Sequence, residues 1–591
     1  MARNLFGGTA ADVAEDSSGV RVPGAVGTVW AGSSDMSEQI TDLTDSTGVA
    51  ITELTADANG MVPAFYGPDG VELLYADFGV AKVALTPTDI GERLKAHVEG
   101  IDPHGDRQAA QDDLTGRIGA ANGLAPLDSA GLIPSEYLPA LGSQGTASIP
   151  DLLAEMPFYI AHRGSGMEYP EHTLAAYEAA LSGGVKAIEV SAGVTADGVP
   201  VCMHDETFDR TTTGTGYMTD MAYASLINTV KVDPGPILGE GWENQPLTTL
   251  RHVLDRFMGR VVIFLEAKSN QAVPIIQQML EDYYPDANKS VVWKNYYTNP
   301  SFDLMKSRGF TTWGFIDAGT TDAELDAYDA LIDIWGVPAN MAGTRMQEVV
   351  ARGKKVICWE VHRRSQRDTL VGLGVQGMMC AQYKWVTADY QLLKRDSWAT
   401  RVKAPGDISR LQYEGVRNMK YGADGDVYFD VLSESALIGS CSLPSYPTNG
   451  YRITFDMAFD GTVPTNEHAG IAFGKADDTL YQFSEMNASG GYHLLLRGSG
   501  SLQLYTHTAG VGPGTQLALA ASAPPVPGQY MSFQVDVTPT EVRVTRTDVT
   551  PNVTVASTNT TYRGGYVHIT EGSISSLANK PRWKNFTVNA L

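Results

Sequence analysis

Side chains that can transfer protons and hold anions stand at the ends of short apolar runs in the middle of the chain. One run ends in His162 and Arg163, a second ends in His204, and a third is closed by Lys268. Imidazole groups exchange protons near neutral pH, and guanidinium and ammonium groups bind phosphate oxygens. Together these residue types predict a site that handles a phosphorylated substrate.

Two carboxylates occur in the same kind of run, each two residues before another polar side chain. Glu189 is followed by Ser191, and Glu266 is followed by Lys268. Alternate residues of a strand point to one face, so each pair lies on one side of its strand. Because hard divalent cations prefer oxygen ligands, the two carboxylates are candidate metal ligands.

These runs belong to residues 157–395, where strands alternate with amphipathic helical stretches such as AVPIIQQMLEDYY. Runs such as VVIFLEA and KVICWEV are apolar throughout, which is typical of strands covered on both faces. About eight strand–helix units over this length predict a (β/α)8 TIM barrel. The carboxyl ends of barrel strands meet at one face, so the polar residues are expected to converge there.

Three segments of this region resemble glycerophosphodiester phosphodiesterases: AHRGSGMEYPEHTLAAYEAAL, AIEVSAGVTADGVPVCMHDETFDRTTTGTG and FLEAK. That family is a (β/α)8 barrel that hydrolyses phosphodiesters of glycerol. The resemblance implies that His162 and His204 are the general acid–base pair. It also implies that Arg163 and Lys268 hold phosphate oxygens.

The same resemblance implies a divalent cation, Ca²⁺ or Mg²⁺, bound by Glu189 and Glu266. Ser191 stands where the family has a third, acidic ligand. Serine is neutral and a weaker ligand for a hard cation, so Ser191 completes the predicted metal site only poorly.

Three further positions are expected to contact substrate by resemblance. Glu171 and Trp359 match pocket-lining positions of the family, and His172 stands where the family usually has Asn. Glu360 likewise stands where a Thr is usual. These departures leave two hypotheses open: a hydrolase, or a barrel that binds a phosphorylated glycan without cleaving it.

The predicted organisation has four parts. Residues 1–90 read as short strands with turns, 91–150 as a helical and Pro-rich neck, 151–397 as the barrel, and 398–591 as an antiparallel β-sandwich. The closing GGYVHIT and RWKNFTV of the last part resemble concanavalin-like and laminin-G-like sandwiches, which implies carbohydrate binding.

The neck sequence NGLAPLDSAGLIPSEYLP and the preceding TADANGMVPAFYGPDGVELLYADFG resemble bacteriophage tail fibres and minor tail proteins. This resemblance implies a homotrimer that contacts other tail proteins and resides in the virion. A phosphodiesterase in that setting would act on a glycerophosphate-containing wall polymer, such as a teichoic acid. A free-standing metabolic enzyme is the weaker alternative, since it leaves residues 1–150 without a purpose.

Composition excludes several other classes of protein. The formal charge of −25 disfavours general binding to nucleic acid. No apolar run reaches the ~18 residues of a membrane span, and the first residues lack a signal-peptide pattern. We therefore expect synthesis in a host cytoplasm without export. Four scattered cysteines predict buried thiols instead of a zinc site or a disulfide framework.

Overall fold

A computed structural model describes most of the chain. It forms two compact units, Met1–Ser143 and Gln144–Leu591. Most of the neck predicted at 91–150 lies outside the described residues. The described residues are 3–88, 147–387, 394–396, 398–401, 419–430, 449–479, 481, 487–572 and 574–591.

The first unit consists of short antiparallel strands. One sheet has the order β1-β7-β4-β5, and a second has β3-β2-β8-β9 with β6 paired to β2. Asp16, Asp45 and Asp57 each begin a turn by accepting backbone N–H bonds from residues two and four positions later, which keeps the strands short. The strands are β1 (Arg3–Phe6), β2 (Val26–Trp30), β3 (Gln39–Ile40), β4 (Leu43–Asp45), β5 (Ala50–Ile51), β6 (Leu54–Thr55), β7 (Phe65–Asp69), β8 (Leu74–Asp77) and β9 (Lys82–Leu85).

The second unit begins with the predicted barrel, which is confirmed. Its strands are β10 (Phe158–Ala161), β11 (Ala187–Val194), β12 (Pro200–Cys202), β13 (Lys231–Val232), β14 (Gln245–Pro246), β15 (Val262–Ala267), β16 (Val291–Tyr296), β17 (Thr311–Phe315), β18 (Ile334–Pro338), β19 (Lys355–Trp359) and β20 (Gly377–Cys380). Eight of them run parallel in the order β10-β20-β19-β18-β17-β16-β15-β11, and the pairing of β10 with β11 closes the barrel. Strand β12 adds to β11 in the antiparallel direction.

Helices follow most barrel strands and cover their outer faces. The helices are α1 (Ile149–Ala154), α2 (Leu174–Ser182), α3 (Tyr223–Leu226), α4 (Gly235–Leu238), α5 (Leu250–Phe257), α6 (Ala272–Tyr283), α7 (Ser301–Ser307), α8 (Asp322–Tyr328), α9 (Gly343–Ala351), α10 (Arg364–Gly372) and α11 (Tyr383–Thr387). Because each strand is buried on both faces, its outward residues pack on helices while its inward residues fill the barrel. No helix in the described part of the chain is long and apolar enough to cross a bilayer.

The barrel interior is divided into an apolar floor and a polar layer above it. Inward residues near the strand starts, such as Phe158, Val262 and Val292, form the floor. Further along, inward positions on three strands are charged: Glu189 on β11, Glu266 on β15 and Lys294 on β16. This division places the ionisable groups at the carboxyl ends of the strands, as the sequence predicted.

The C-terminal part contains two antiparallel sheets that share one hydrophobic core. Core side chains such as Phe455 and Val535 come from one sheet, and Ile471 and Leu494 come from the other. The strands are β21 (Lys394–Arg395), β22 (Met419–Tyr421), β23 (Val427–Phe429), β24 (Tyr451–Phe459), β25 (His468–Lys475), β26 (Gly491–Arg497), β27 (Ser501–His507), β28 (Thr515–Ala521), β29 (Met531–Val537), β30 (Val542–Arg546), β31 (Val553–Ser557), β32 (Tyr566–Gly572) and β33 (Pro581–Ala590).

A buried aspartate joins these sheets to the barrel. Helix α10 begins at Arg364 without a capping side chain from its own N-cap residue. Asp478, which follows β25, accepts the backbone N–H groups of Arg364 and Ser365 at 2.7 and 2.8 Å. It also accepts the indole N–H of Trp385 at 2.9 Å. A carboxylate at a helix N-terminus satisfies orphan donors and interacts favourably with the helix dipole.

Replacing Asp478 with Ala is expected to lower the free energy of unfolding by about 3 kcal/mol, because three buried donors lose a charged acceptor. The measurement is the urea midpoint followed by tryptophan fluorescence. Asp368→Ala, at an exposed carboxylate of the same helix, is the matched control and should shift the midpoint little. Equal midpoints for the two variants would contradict this account of the contact.

The chain has four cysteines. Cys202, Cys358 and Cys380 are buried free thiols. Cys441 lies outside the described residues.

Candidate active site

The first predicted site residues lie in a tight turn at the end of β10. His162–Gly164 form one turn of 3₁₀-helix, and Arg163, Gly164 and Ser165 have φ of 53°, 78° and 70°. Left-handed backbone is unfavourable for residues other than glycine, so surrounding contacts must hold it. One such contact is the backbone N–H of Arg163, which donates to Oε2 of Glu189 at 3.0 Å. The turn thereby fixes the directions of the His162 and Arg163 side chains.

A cavity of about 360 Å³ opens above the floor of the barrel. Six of the ten residues that the sequence predicted as site residues line it, and two of its five other lining residues are aromatic. It is lined by His162, Arg163, His204, Glu266, Lys268, Lys294, Trp313, Phe315, Trp359, Glu360 and Met379.

His162 is held between a carboxylate and a guanidinium. Its Nδ1 lies 3.4 Å from Oε2 of Glu360, and its Nε2 accepts a hydrogen bond from Nε of Arg163 at 3.2 Å. Glu360 also lies 3.4 Å from His362. Burial would raise the pKa of Glu360, but the two histidines hold that pKa well below its ordinary value. Glu360 is therefore an ionised carboxylate beside the Nδ1 of His162.

His204 is oriented by the residue that follows it. Its Nδ1 donates to Oδ1 of Asp205 at 2.7 Å, and its Nε2 accepts from the Lys268 ammonium at 3.3 Å. Burial and the nearby cations Arg163 and Lys268 lower the pKa of His204, against the opposing effect of Asp205. The imidazole is therefore neutral at pH 7, and its Nε2 lone pair is held by Lys268.

Glu171 is buried and bound by two arginines. Its oxygens lie 3.2 Å from Nη1 of Arg163 and 2.8 Å from Nη2 of Arg210. Burial would raise the pKa of Glu171, but the two guanidinium groups lower it to about 2. Arg210 also contacts Asp205 at 2.5 Å. Glu171 thus orients Arg163, and through Arg210 it is linked to the residue that orients His204.

Of the three predicted substrate-binding residues, Trp359 lines the cavity. Glu171 is occupied by the arginines, and His172 is buried with its Nδ1 2.8 Å from the Tyr177 hydroxyl. Burial lowers the pKa of His172 to about 3, so this histidine is neutral. The prediction that Glu171 and His172 contact substrate directly has no support in these contacts.

Strand register brings the remaining charged groups into one layer. Ser191 on β11 is opposite Glu266 on β15, and Glu266 is opposite Lys294 on β16. The Lys294 ammonium donates to Oε1 of Glu189 at 2.7 Å and to Oε2 of Glu266 at 2.5 Å. Burial would lower the pKa of Lys294, but the two carboxylates raise it. Lys294 is therefore a buried cation shared by both glutamates.

The residues predicted as metal ligands do not fit a divalent cation. Oε1 of Glu189 accepts from Ser191 at 2.8 Å and from Lys294, and its Oε2 accepts the backbone N–H of Arg163. Oε1 of Glu266 accepts from Lys268 at 2.9 Å, and its Oε2 accepts from Lys294. Every carboxylate oxygen of the pair is therefore taken by a donor. Among the described residues, no group of three or more His, Cys, Asp or Glu is arranged to hold a metal ion.

Two basic residues of the site were not predicted from the sequence. Lys294 falls in the run VVWKNY, which reads as a buried strand, and Arg210 falls in the loop after β12. A lysine inside a strand that is covered on both faces must be paired with opposite charge. That signal could have indicated Lys294 as a member of the polar layer, although not its partners.

Comparisons with known proteins give the family. Residues 162–308 match the model of the glycerophosphoryl diester phosphodiesterase family. A Mycobacterium tuberculosis relative is 47% identical over 76 residues, which are 13% of this chain and 28% of the relative. The chain thus spans under a third of that protein's length.

A second relative is covered almost completely. YhdW of Bacillus subtilis, which like the mycobacterial protein is named for glycerophosphodiester phosphodiesterase activity, is 33% identical over 253 residues. These cover 38% of this chain and 93% of YhdW. A solved phosphodiesterase from Oleispira antarctica is 21% identical, with 38% of this chain and 94% of that chain covered and a TM-score of 0.35. On the match to YhdW, the chain belongs, through its barrel, to the glycerophosphoryl diester phosphodiesterase family.

Proposed function

We propose that this chain hydrolyses phosphodiesters of glycerol. The observation that carries the proposal is the pair His162 and His204, whose Nε2 atoms are bound by cavity cations, Arg163 and Lys268 respectively. Two oriented imidazoles beside two anion-binding cations supply proton transfer and charge stabilisation in one cavity.

The reaction proceeds in two steps. The histidine that acts as the base in one step acts as the acid in the other. In the first, one histidine takes the proton of the glycerol hydroxyl next to the phosphate, and that oxygen attacks phosphorus. The bond from phosphorus to the leaving alkoxide breaks, and the other histidine protonates the alkoxide. In the second, water opens the cyclic phosphate with the proton transfers reversed. Arg163 and Lys268 bind the phosphate oxygens in both steps.

The neighbours of each histidine assign its role in the first step. His204 is the base, because burial and the adjacent cations keep it neutral. We assign His162 as the acid, because the Glu360 carboxylate lies 3.4 Å from its Nδ1 and leaves its Nε2 to transfer the proton. The Nε2 of His162 becomes a donor when Arg163 moves its Nε hydrogen bond to the phosphate.

This assignment predicts the pH dependence. Activity needs neutral His204, so kcat/KM falls as the pH drops through a pKa below the ordinary 6.5. Asp205→Asn removes the interaction that raises this pKa, and the acidic limb of the profile should move to lower pH. Asp282→Asn, on the outer helix α6, is the control and should leave the limb in place. A limb that moves to higher pH in Asp205→Asn would contradict the role of His204.

The substrate that fits best is a polymer of glycerophosphate, such as a wall teichoic acid. A second cavity of about 390 Å³ shares Lys268 with the first and is also lined by Asp205, Tyr217 and Asn270. Two cavities that meet at a phosphate-binding lysine give room for sugar or glycerol units on both sides of the cleaved bond. Polar groups and a tyrosine in the second cavity suit a hydroxylated chain.

The larger setting that we propose is a bacteriophage tail. The sequence resemblance of residues 1–150 to tail proteins supports a homotrimer in the virion, made in the host cytoplasm and bound to other tail proteins. The shared core of the two C-terminal sheets is compatible with a concanavalin-like or laminin-G-like sandwich that binds carbohydrate. The whole protein would then recognise the bacterial envelope and cleave its polymer during adsorption.

A non-catalytic adhesin is the second candidate, favoured by the occupied carboxylates of Glu189 and Glu266. Purified glycerophosphate wall polymer distinguishes the two functions. The proposed enzyme releases glycerol phosphate from the polymer, and His162→Ala binds it without release. Binding by both proteins with no release by either would establish the adhesin.

A further inference from the structure

Lys294 occupies the centre of the polar layer. Its ammonium contacts Glu189 and Glu266, and its side chain is only 8% exposed. The Nζ lies 5.4 Å from the ring centre of Trp313 and 5.7 Å from that of Phe315, both of which line the cavity. A buried ammonium held by two carboxylates and two aromatic rings is fixed in position and charge.

The ammonium keeps one proton for another acceptor. A lysine ammonium has three N–H groups, and among the described residues two of them are given to the glutamates. Lys294 also lines the cavity that contains both histidines. The third N–H is therefore the donor of Lys294 that remains for an anion bound in this cavity.

The charge of this layer matches that of the metal site implied by the family resemblance. Three carboxylates around a dication carry a net charge of −1. Two carboxylates and a neutral Ser191 around the Lys294 ammonium carry the same net charge. The neutral Ser191 and the Lys294 ammonium therefore leave this layer with the net charge that a site loaded with a dication would have.

We propose that Lys294 is a built-in cation that takes the place of the divalent metal. It holds Glu189 and Glu266 and donates its third N–H to the phosphate, so hydrolysis needs no divalent ion. This inference rests on the proposed hydrolase function for its activity readout. Its metal-binding readout is independent of that function.

The first test uses the wild-type protein. Turnover of a glycerophosphodiester is measured after dialysis against excess EDTA, and again with added Mg²⁺, Ca²⁺ or Mn²⁺. Turnover unchanged within about 2-fold is expected, since the preorganised charge is already present. Activity that is lost in EDTA and restored by a metal would overturn the inference while leaving the hydrolase function intact.

The second test measures Mn²⁺ binding by electron paramagnetic resonance, without any substrate. Wild-type protein is expected to bind no Mn²⁺ at millimolar concentration. Lys294→Met combined with Ser191→Asp frees both glutamates and restores a third carboxylate, so this double variant is expected to bind Mn²⁺ at one site per chain. Mn²⁺ bound by the wild type, and lost in Glu266→Gln, would overturn the inference.

The third test separates a catalytic cation from a structural ion pair. Lys294→Met is expected to lower kcat by ~10²-fold or more, the usual cost of removing one preorganised donor to developing charge. Lys294→Arg, which keeps the charge, should recover part of the loss, and Lys289→Met, at an exposed lysine, should change nothing. Circular dichroism identifies a variant that is unfolded. A folded Lys294→Met with wild-type kcat would overturn the inference.

The possible outcomes distinguish the proposed hydrolase function from the proposed role of Lys294. If the wild type turns over no diester under any condition, the hydrolase function fails, and Mn²⁺ binding still decides whether Lys294 replaces a metal. If turnover occurs, the EDTA series decides the same question independently.

Discussion

Replacing either cavity histidine with alanine is expected to lower kcat/KM for a glycerophosphodiester by ~10³-fold, within the range that general acid–base catalysis contributes. His162 and His204 each have one ring nitrogen held by a carboxylate and the other bound by a cavity cation. An alanine at either position leaves the phosphate-binding cations in place. The loss should therefore appear mainly in kcat, with KM changed little.

The kinetic comparison includes His252→Ala, an exposed histidine on helix α5, which should retain wild-type activity. The double variant His162→Ala/His204→Ala is expected to lose little more than either single variant, because the two groups act in one proton-transfer sequence. Single variants with kcat within 10-fold of wild type would exclude the acid–base mechanism.

Removing Glu171 is expected to produce the largest loss of stability. Glu171→Ala should lower the free energy of unfolding by about 3–5 kcal/mol. The substitution leaves the buried Arg163 without its carboxylate partner and removes one of the carboxylate partners of Arg210. The pKa of about 2 for Glu171 agrees with this, since the folded protein strongly favours the carboxylate form. This part of its stability should be present above the ordinary pKa of 4.5 and lost as the pH falls towards about 2.

The matched control is Glu178→Ala on helix α2, whose carboxylate pairs with Arg256 near the surface. A loss below about 1 kcal/mol is expected there, as for exposed ion pairs. Urea unfolding of both variants measures the difference. A Glu171→Ala protein with wild-type stability and a raised KM would instead support the direct substrate contact inferred from the sequence.

Much of the site follows from the sequence because a closed parallel barrel leaves little freedom. Apolar runs separated by helical stretches predict the eight strands, and carboxyl ends must meet at one face. His162, Arg163 and Lys268 follow such ends, and all three line the cavity. His204 also lines the cavity, but it follows β12, which is antiparallel to β11 and is not one of the eight barrel strands expected from the sequence.

The roles that the sequence did not predict depend on register and loop geometry. Lys294 lies between Glu189 and Glu266 only because β16 is paired with β15 so that Lys294 is opposite Glu266. A run of apolar residues in the sequence does not specify that pairing register. Glu171 lies 3.2 Å from Arg163, a residue with left-handed backbone, and 2.8 Å from Arg210 in the loop after β12. Such backbone conformations are held by contacts distant in sequence, so a local pattern cannot predict them.

The central claim is that this barrel hydrolyses glycerophosphodiesters, and ³¹P nuclear magnetic resonance of wild-type protein with glycerophosphocholine tests it most directly. The spectrum resolves the diester, the cyclic phosphate and the glycerol phosphate product in one sample. The account predicts that the diester signal decays in excess EDTA and that glycerol phosphate accumulates. A diester signal that persists with and without added metal, while His162→Ala behaves identically, would contradict the claim.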